Sequence, residues 1–489
     1  LHYPLRRQRQ MCIRDSAHTC RHLSVHRSFR EQLGVSGCYV GLMGNCGMSP
    51  APVSDQVKER WVERLREGAV DVTWSDFRSY MAAVEKAKFS VNVAAQVGHN
   101  AVRAHAMGHY TKKVRPSSAE MEQMRSSVEE AMRAGAFGMS SGLMYIPGFY
   151  SETEELIELC RIVAKYGGIY STHMRGEANE LLQSVTETIK IAETAKVSAE
   201  IGHHRAECKV NWGLIRHTLQ MMEEANRRGA NITCDFFPYP ACGVGGGIPL
   251  PRWASPLYMP KEEAVKIINN PENREKIKDQ VKSGTRLGPE ARSYEIVDSL
   301  DDIVIPVYPD HPELQGKTII EIAKILGVDD PYELFLDMVT EERSPSMVGF
   351  NIWEVDLEML VRSPLAMIGT DSSFIDDVNR PNRHPRAYGS FPIVLGKYVR
   401  GKKLISWEEA VVKLSSRPHA KLGIFDRGLI RPGFFADLVL FNPDTVIDKA
   451  KYDGKGAYPE GIEYVFVNGE PIVFEGHHTK ATPGRLLRH

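Results

Sequence analysis

Three short runs constrain this chain most. They are Tyr170-Ser171-Thr172-His173-Met174-Arg175, Ile201-Gly202-His203-His204-Arg205 and Asp235-Phe236-Phe237-Pro238-Tyr239-Pro240. Each closes a short β-type segment on polar or metal-binding side chains, and a helical pattern follows the first two. Gly168–Thr172 reads as a strand ending on His173, Ala199–Ile201 as one ending at His203, and Asn231–Phe236 as one ending near Tyr239. Chemistry that recurs at the C-terminal ends of successive strands predicts a parallel α/β barrel, because those ends share one face and the site sits there.

The rest of the chain extends this rhythm. Strands are expected near 38–43, 89–97, 136–140, 169–172, 199–202, 231–236 and 365–370, so a closed (β/α)8 TIM-type barrel needs one more, before residue 38. A helix is expected over Trp74–Lys88. A capping box of Ser117 and Glu120 starts a helix that Gly135 stops; Ser151 with Glu154 and Ser406 with Glu409 predict two more such starts. From Gly243 to about 341 the rhythm breaks, with clustered glycines, charged helices and a β-type run at Ile303–Val307. This reads as an insertion over the barrel mouth. From Gly433 the pattern is all-β, with a hairpin expected at Asn468-Gly469. The expected organisation is therefore a scrambled or non-native segment at 1–36, with 1–16 set aside, a barrel at 37–415 with an insertion at about 243–341, and a small accessory β domain at 416–489.

Charge and cysteines narrow the function. The 61 basic and 62 acidic residues leave a net charge of -1, which offers nucleic acid no basic surface. No apolar run is long enough to cross a bilayer. Eight scattered cysteines without a CxxC are not a disulfide framework and fit a reducing cytoplasm. Cys46, in the glycine-flanked loop Gly44-Asn45-Cys46-Gly47, stands apart from the rest.

Cys46, His173, His203 and Asp371 each lie just past an expected strand. Singly each has an ordinary use: a buried thiol, a hydrogen-bonded histidine, a helix-capping aspartate. Together on one face, a thiolate, two imidazoles and a carboxylate form a set that suits Zn²⁺. His204 rivals His203, since strand alternation sends the two to opposite faces and leaves the inward one open. Arg205, Tyr239 and Arg386 are positioned to clamp a carboxylate. His99, Arg103 and His105 are further polar residues outside this set.

Gly44–Gly47, Ser171–Glu177, Gly202–Arg205, Asp235–Tyr239, Gly369–Asp371 and His384-Pro385-Arg386-Ala387-Tyr388-Gly389-Ser390-Phe391 resemble the motifs of the D-aminoacylase (N-acyl-D-amino-acid deacylase) family. That family belongs to the metal-dependent amidohydrolases, and Ala436–Val439 and Val467–Gly469 are similar to its accessory β domain. The resemblance implies zinc-dependent hydrolysis of an N-acyl-D-amino acid, a small-molecule substrate. Cys46, His173 and His203 would hold a tight zinc. Asp371 would be the general acid and base, and Arg205, Tyr239 and Arg386 would bind the substrate. It also makes His203, not His204, the ligand. The chain departs from the family at two places. Arg205 stands where the family usually has lysine, and the His-x-His pair of the first strand, needed for a second metal, is matched only by His18-Thr19-Cys20. Alternative readings are a cyclic-imide or dihydropyrimidine hydrolase, whose carboxylated lysine Cys46 does not match, or a damaged, metal-free fragment.

Overall fold

The structure is a computed structural model that describes residues 9–10, 37–54, 72–244, 250–283, 298–372 and 384–489. All seven expected strands are present: β1 (Val40–Met43), β2 (Asn92–Ala95, continued by Val97–Gly98), β3 (Gly138–Gly142), β4 (Ile169–His173), β5 (Ser198–Ile201), β6 (Ile232–Phe236) and β7 (Ala366–Ile368). They pair in parallel and in chain order, β1 to β7. Gln96 carries the sheet past the break in β2, its N–H donating to Met43 O at 2.9 Å while Phe137 N–H donates to Ala95 O at 2.8 Å. The eighth strand expected before residue 38 falls outside the described residues.

Helices separate the strands, as parallel pairing requires. Phe77–Lys86 lies between β1 and β2, Ser118–Arg133 before β3, Thr153–Lys165 before β4, Leu181–Ala195 before β5 and Ile215–Arg227 before β6. The Ser117–Glu120 and Ser406–Glu409 boxes form as expected. The expected box at Ser151 does not. Glu152 is the N-cap of that helix, because the Ser151 hydroxyl donates to Gly148 O in the preceding turn.

One parity of each strand faces the helices and the other faces the barrel interior. Tyr170, Ala199, Ile201, Cys234 and Ile368 belong to the large apolar core with the helices. Ser171, Glu200 and Thr233 are aligned across β4, β5 and β6 on the opposite face, and Ser171 Oγ reaches Gln96 Oε1 two strands away at 2.9 Å. The interior is polar in its upper layers. At its N-terminal end a separate apolar cluster of Leu42, Ala94, Phe137, Ile169, Leu422 and Ile424 fills it. Leu422 and Ile424 come from beyond residue 416, so the segment assigned from sequence to the accessory domain begins as the barrel's floor.

The insertion follows β6. Its antiparallel sheet orders Lys317–Thr318, Ile303–Val307, Ser346–Gly349 and Cys242–Val244. The sheet extends to Gly349; Ser-Met-Val-Gly carries no alternation, and its pairing with Ile303–Val307 on one side and Cys242–Val244 on the other makes it a strand. The Tyr258 hydroxyl donates to Met144 O past β3, which holds the insertion against the barrel mouth. The accessory sheet holds Leu438–Phe441, Ile462–Val467, Glu470–Phe474 and His477–His478. Asn468 and Gly469, with φ of 52° and 87°, make the expected hairpin turn. Arg9–Gln10 adds an edge strand to it, against the exclusion of residues 1–16. An open edge pairs through backbone groups whatever the side chains. The C-terminus leaves this sheet, and Leu487 N–H donates to Val93 O at 2.7 Å beside β2.

Candidate metal centre

Three ligand atoms, one each from Cys46, His173 and His203, lie within 4.8 Å of one another, and all three residues are buried. Cys46 Sγ is 3.5 Å from His203 Nε2, and the two imidazole rings meet edge to face at 4.4 Å. A thiolate and two imidazoles are a donor set that fits zinc. The carboxylate of Asp371 is close enough for its charge to act on His203. Burial opposes a charged His203, but Glu177 and Asp371 outweigh it and raise its pKa.

The strands bring these residues to the rim; left-handed turns then aim them. His173 is the last residue of β4 and needs no turn. Cys46, His203 and Asp371 have φ of 54°, 38° and 46°. Non-glycine residues avoid that region, and where they adopt it the surroundings must hold them. Around Cys46 the flanking Gly44 (φ 83°) allows the loop to press on β2: a Cβ there would stand 2.1 Å from Gln96 O. At His203 the N–H donates to Asp235 Oδ1 at 3.0 Å and the His204 N–H to Asp235 O at 2.7 Å.

This turn corrects the alternation argument. β5 ends at Ile201, with Ala199 and Ile201 outward and Glu200 inward. Strict alternation would continue His203 outward and His204 inward. Positive φ at His203 reverses them. His203 reaches Cys46 and His173, while His204 Nε2 meets Thr218 Oγ1 on the following helix at 2.7 Å. Burial lowers the His204 pKa to about 4, so it packs as a neutral ring.

The remaining expected residues divide. Arg386 Nη1 lies 2.7 Å from Asp371 Oδ2, and its guanidinium sits 4.6 Å from the Phe237 ring centre. His384 fixes the start of the helix Arg386–Ile393: its Nδ1 accepts from Arg386 N–H at 3.0 Å and its Nε2 donates to Ala241 O at 2.8 Å. Tyr239 lies beside the His384 ring at 5.6 Å but donates its hydroxyl to Asp448 Oδ2 at 3.0 Å. Gly389 permits this contact, since a Cβ there would stand 2.2 Å from the Tyr239 oxygen. Arg205 lies beside His203 and is paired with Glu177 and Glu207. His99 and Arg103 share Glu155 in a separate buried network. His18 falls outside the described residues.

Three residues belong to the site without a sequence-derived role. Glu177 and Asp235 sit in the quoted motifs, but nothing local says what their carboxylates touch. Tyr145 places its ring 4.9 Å from that of His173. Burial first, then the charges of Cys46, Asp371 and Glu177, push its hydroxyl well above the ordinary range, so it remains a donor at neutral pH.

A parallel barrel with a buried Cys-His-His group and an aspartate at its C-terminal rim defines the class of metal-dependent barrel hydrolases. Residues 354–473 match the amidohydrolase family. The D-aminoacylase of Alcaligenes xylosoxydans xylosoxydans is 32% identical over 91% of this chain and 80% of its own. The N-acyl-D-glutamate deacylase of that organism is 31% identical over 91% and 79%. Among solved structures, the N-acyl-D-glutamate deacylase of Bordetella bronchiseptica, complexed with zinc and a phosphonate inhibitor, matches 93% of this chain and 83% of its own with a TM-score of 0.72 and 29% identity. A D-aminoacylase with a binuclear metal centre matches 99% and 90% with a TM-score of 0.75 and 27% identity. An L-hydantoinase from Arthrobacter aurescens, 12% identical with a TM-score of 0.50, shares the fold alone. The chain belongs to the D-aminoacylase family of amidohydrolases. Among the described residues no helix is long and apolar enough to cross a membrane.

Proposed function

We propose that this protein hydrolyses the amide bond of N-acyl-D-amino acids with zinc, releasing a carboxylate and a free D-amino acid, in the cytoplasm. The observation that carries the reading is the buried Cys46-His173-His203 group with the Asp371–Arg386 pair beside it, in a chain of this family. Cys46, His173 and His203 would hold one zinc ion. A bound zinc supplies the Lewis acidity that amide hydrolysis needs. Asp371 takes the proton from the attacking water and returns it to the leaving nitrogen, so that the C–N bond breaks to give a neutral amine. Arg386 is the cation for the substrate's α-carboxylate, which would draw it from Asp371 on binding and release that carboxylate for proton transfer. Tyr239 adds a hydroxyl beside it. Arg205, already paired with two carboxylates, is left out of this set.

The test is a hydrolysis screen of N-acetyl-D- against N-acetyl-L-amino acids by the zinc-loaded protein, with released amine measured. Turnover confined to D substrates supports the reading. Turnover of cyclic imides in place of N-acyl amino acids refutes it.

A further inference from the structure

Glu177 lies four residues past His173, and its side chain is fully buried. Its carboxylate hydrogen-bonds His203 and stands farther from His173, whose Nε2 lies 3.0 Å from Met144 Sδ. Oε1 is 3.0 Å from His203 Nδ1, and Oε2 is 3.7 Å from His173 Nε2. On the far side stands Arg205, with Nη2 2.5 Å from Glu177 Oε2 and Nε 2.7 Å from Glu207 Oε1. Glu207 in turn accepts from Cys242 Sγ at 3.7 Å, at the first residue of the insertion's edge strand.

The proton assignments follow from the metal-facing atom. His203 presents Nε2 to Cys46, so Nδ1 carries the proton and donates to Glu177. Arg205 Nη1 also lies 2.8 Å from that Nδ1, but a protonated nitrogen accepts nothing. Nη1 therefore donates to the His203 carbonyl oxygen at 3.1 Å. The guanidinium thus directs three of its five N–H groups at its own chain: Nε donates to Glu207, Nη1 donates to the His203 carbonyl, and Nη2 faces Glu177 as an ion pair.

We propose that Glu177 is a positioning residue that orients His203 toward the metal, and that Arg205 holds Glu177 instead of binding the substrate. A lysine here would be a point charge; the guanidinium fork of Arg205 spans Glu177 and Glu207 together. Arginine here ties the metal group to the insertion through Glu207. A histidine held by a carboxylate keeps one tautomer and one ring orientation, and losing that partner weakens metal affinity by roughly 10–100-fold.

The proposal rests on the reading above in one respect, that the two histidines hold a metal. Zinc affinity is therefore measured without substrate, by competition with a chromophoric chelator, for wild type, Glu177→Gln and Arg205→Lys. The ligand-field spectrum of the cobalt-substituted proteins is recorded alongside. Catalysis is then compared on an N-acetyl-D-amino acid and on its carboxamide, which lacks the α-carboxylate. Glu177→Gln is expected to weaken zinc about 10–100-fold and to shift the cobalt spectrum. Arg205→Lys should weaken zinc by a smaller factor and lower kcat/KM on both substrates alike. Wild-type zinc affinity in Glu177→Gln overturns the positioning role. Unchanged affinity in Arg205→Lys, with a loss confined to the carboxylate substrate, makes Arg205 a substrate ligand and overturns the second half. Because the affinities need no turnover, an inactive wild type that binds zinc would refute the proposed reaction while the affinities still decide these two residues.

Discussion

Replacing Asp235 by alanine tests whether the turn at His203 is what builds the metal group. His203 is held at φ 38° and its N–H donates to Asp235 Oδ1 at 3.0 Å in a buried setting. A residue in this backbone region costs about 1–3 kcal/mol, which its surroundings must offset. A hydrogen bond to a charged acceptor contributes about 1.5–3 kcal/mol, the same size. In Asp235→Ala the N–H loses its acceptor and the turn loses its counterweight, so His203 swings from Cys46. A shift of about 1.5–3 kcal/mol is roughly 10–150-fold in equilibrium terms, where each 1.4 kcal/mol is tenfold. Zinc affinity is expected to fall by about that factor, and stability in urea by about 1–3 kcal/mol. Asp235→Asn keeps an acceptor oxygen and should lose less than half as much. Chelator competition and urea denaturation on the two variants decide it. Equal zinc affinity in Asp235→Ala and Asp235→Asn would refute the reasoning, because the turn would then stand without its acceptor.

Neighbouring histidines should separate cleanly. His203→Ala is expected to abolish tight zinc binding, while His204→Ala keeps the metal and loses about 1–3 kcal/mol of stability through the orphaned Thr218 contact; metal analysis that finds the reverse places the turn wrongly. Arg386→Ala should raise KM for N-acetyl-D-amino acids about tenfold or more and leave zinc content unchanged; steady-state kinetics with an unaltered KM would remove Arg386 from the substrate site. Burial, with the charge of Arg427 adding, lowers the His419 pKa from 6.5 to about 3. A depressed folded-state pKa gives stability that is present above pH 6.5 and is lost as pH falls toward 3. Between pH 7 and 5 the loss is about 2 kcal/mol. Denaturation at both values should show a loss about 2 kcal/mol smaller in His419→Phe than in wild type, and equal losses in the two would refute it.

What the sequence by itself determined is the frame and the chemistry it carries. Period-2 runs ending in polar residues gave the seven strands, and capping residues gave helix starts at Ser118 and Trp407, because both signals are local and a strand or helix end is built from neighbours in the chain. Cys46, His173 and His203 could be expected near one another because a parallel barrel brings all its strand ends to one face, and they lie together there. Two things were not legible. Which of His203 and His204 turns inward depends on the sign of one φ angle, and that sign is held by Asp235, 32 residues away. The partner of Arg205 depends on where Glu177 and Glu207 come to rest, with Glu177 standing after a different strand. A local pattern can state that a charge or an imidazole is present at a rim; only the packed structure decides what it touches, because burial removes water as a partner and leaves each polar atom to whichever group the tertiary fold brings within about 3 Å.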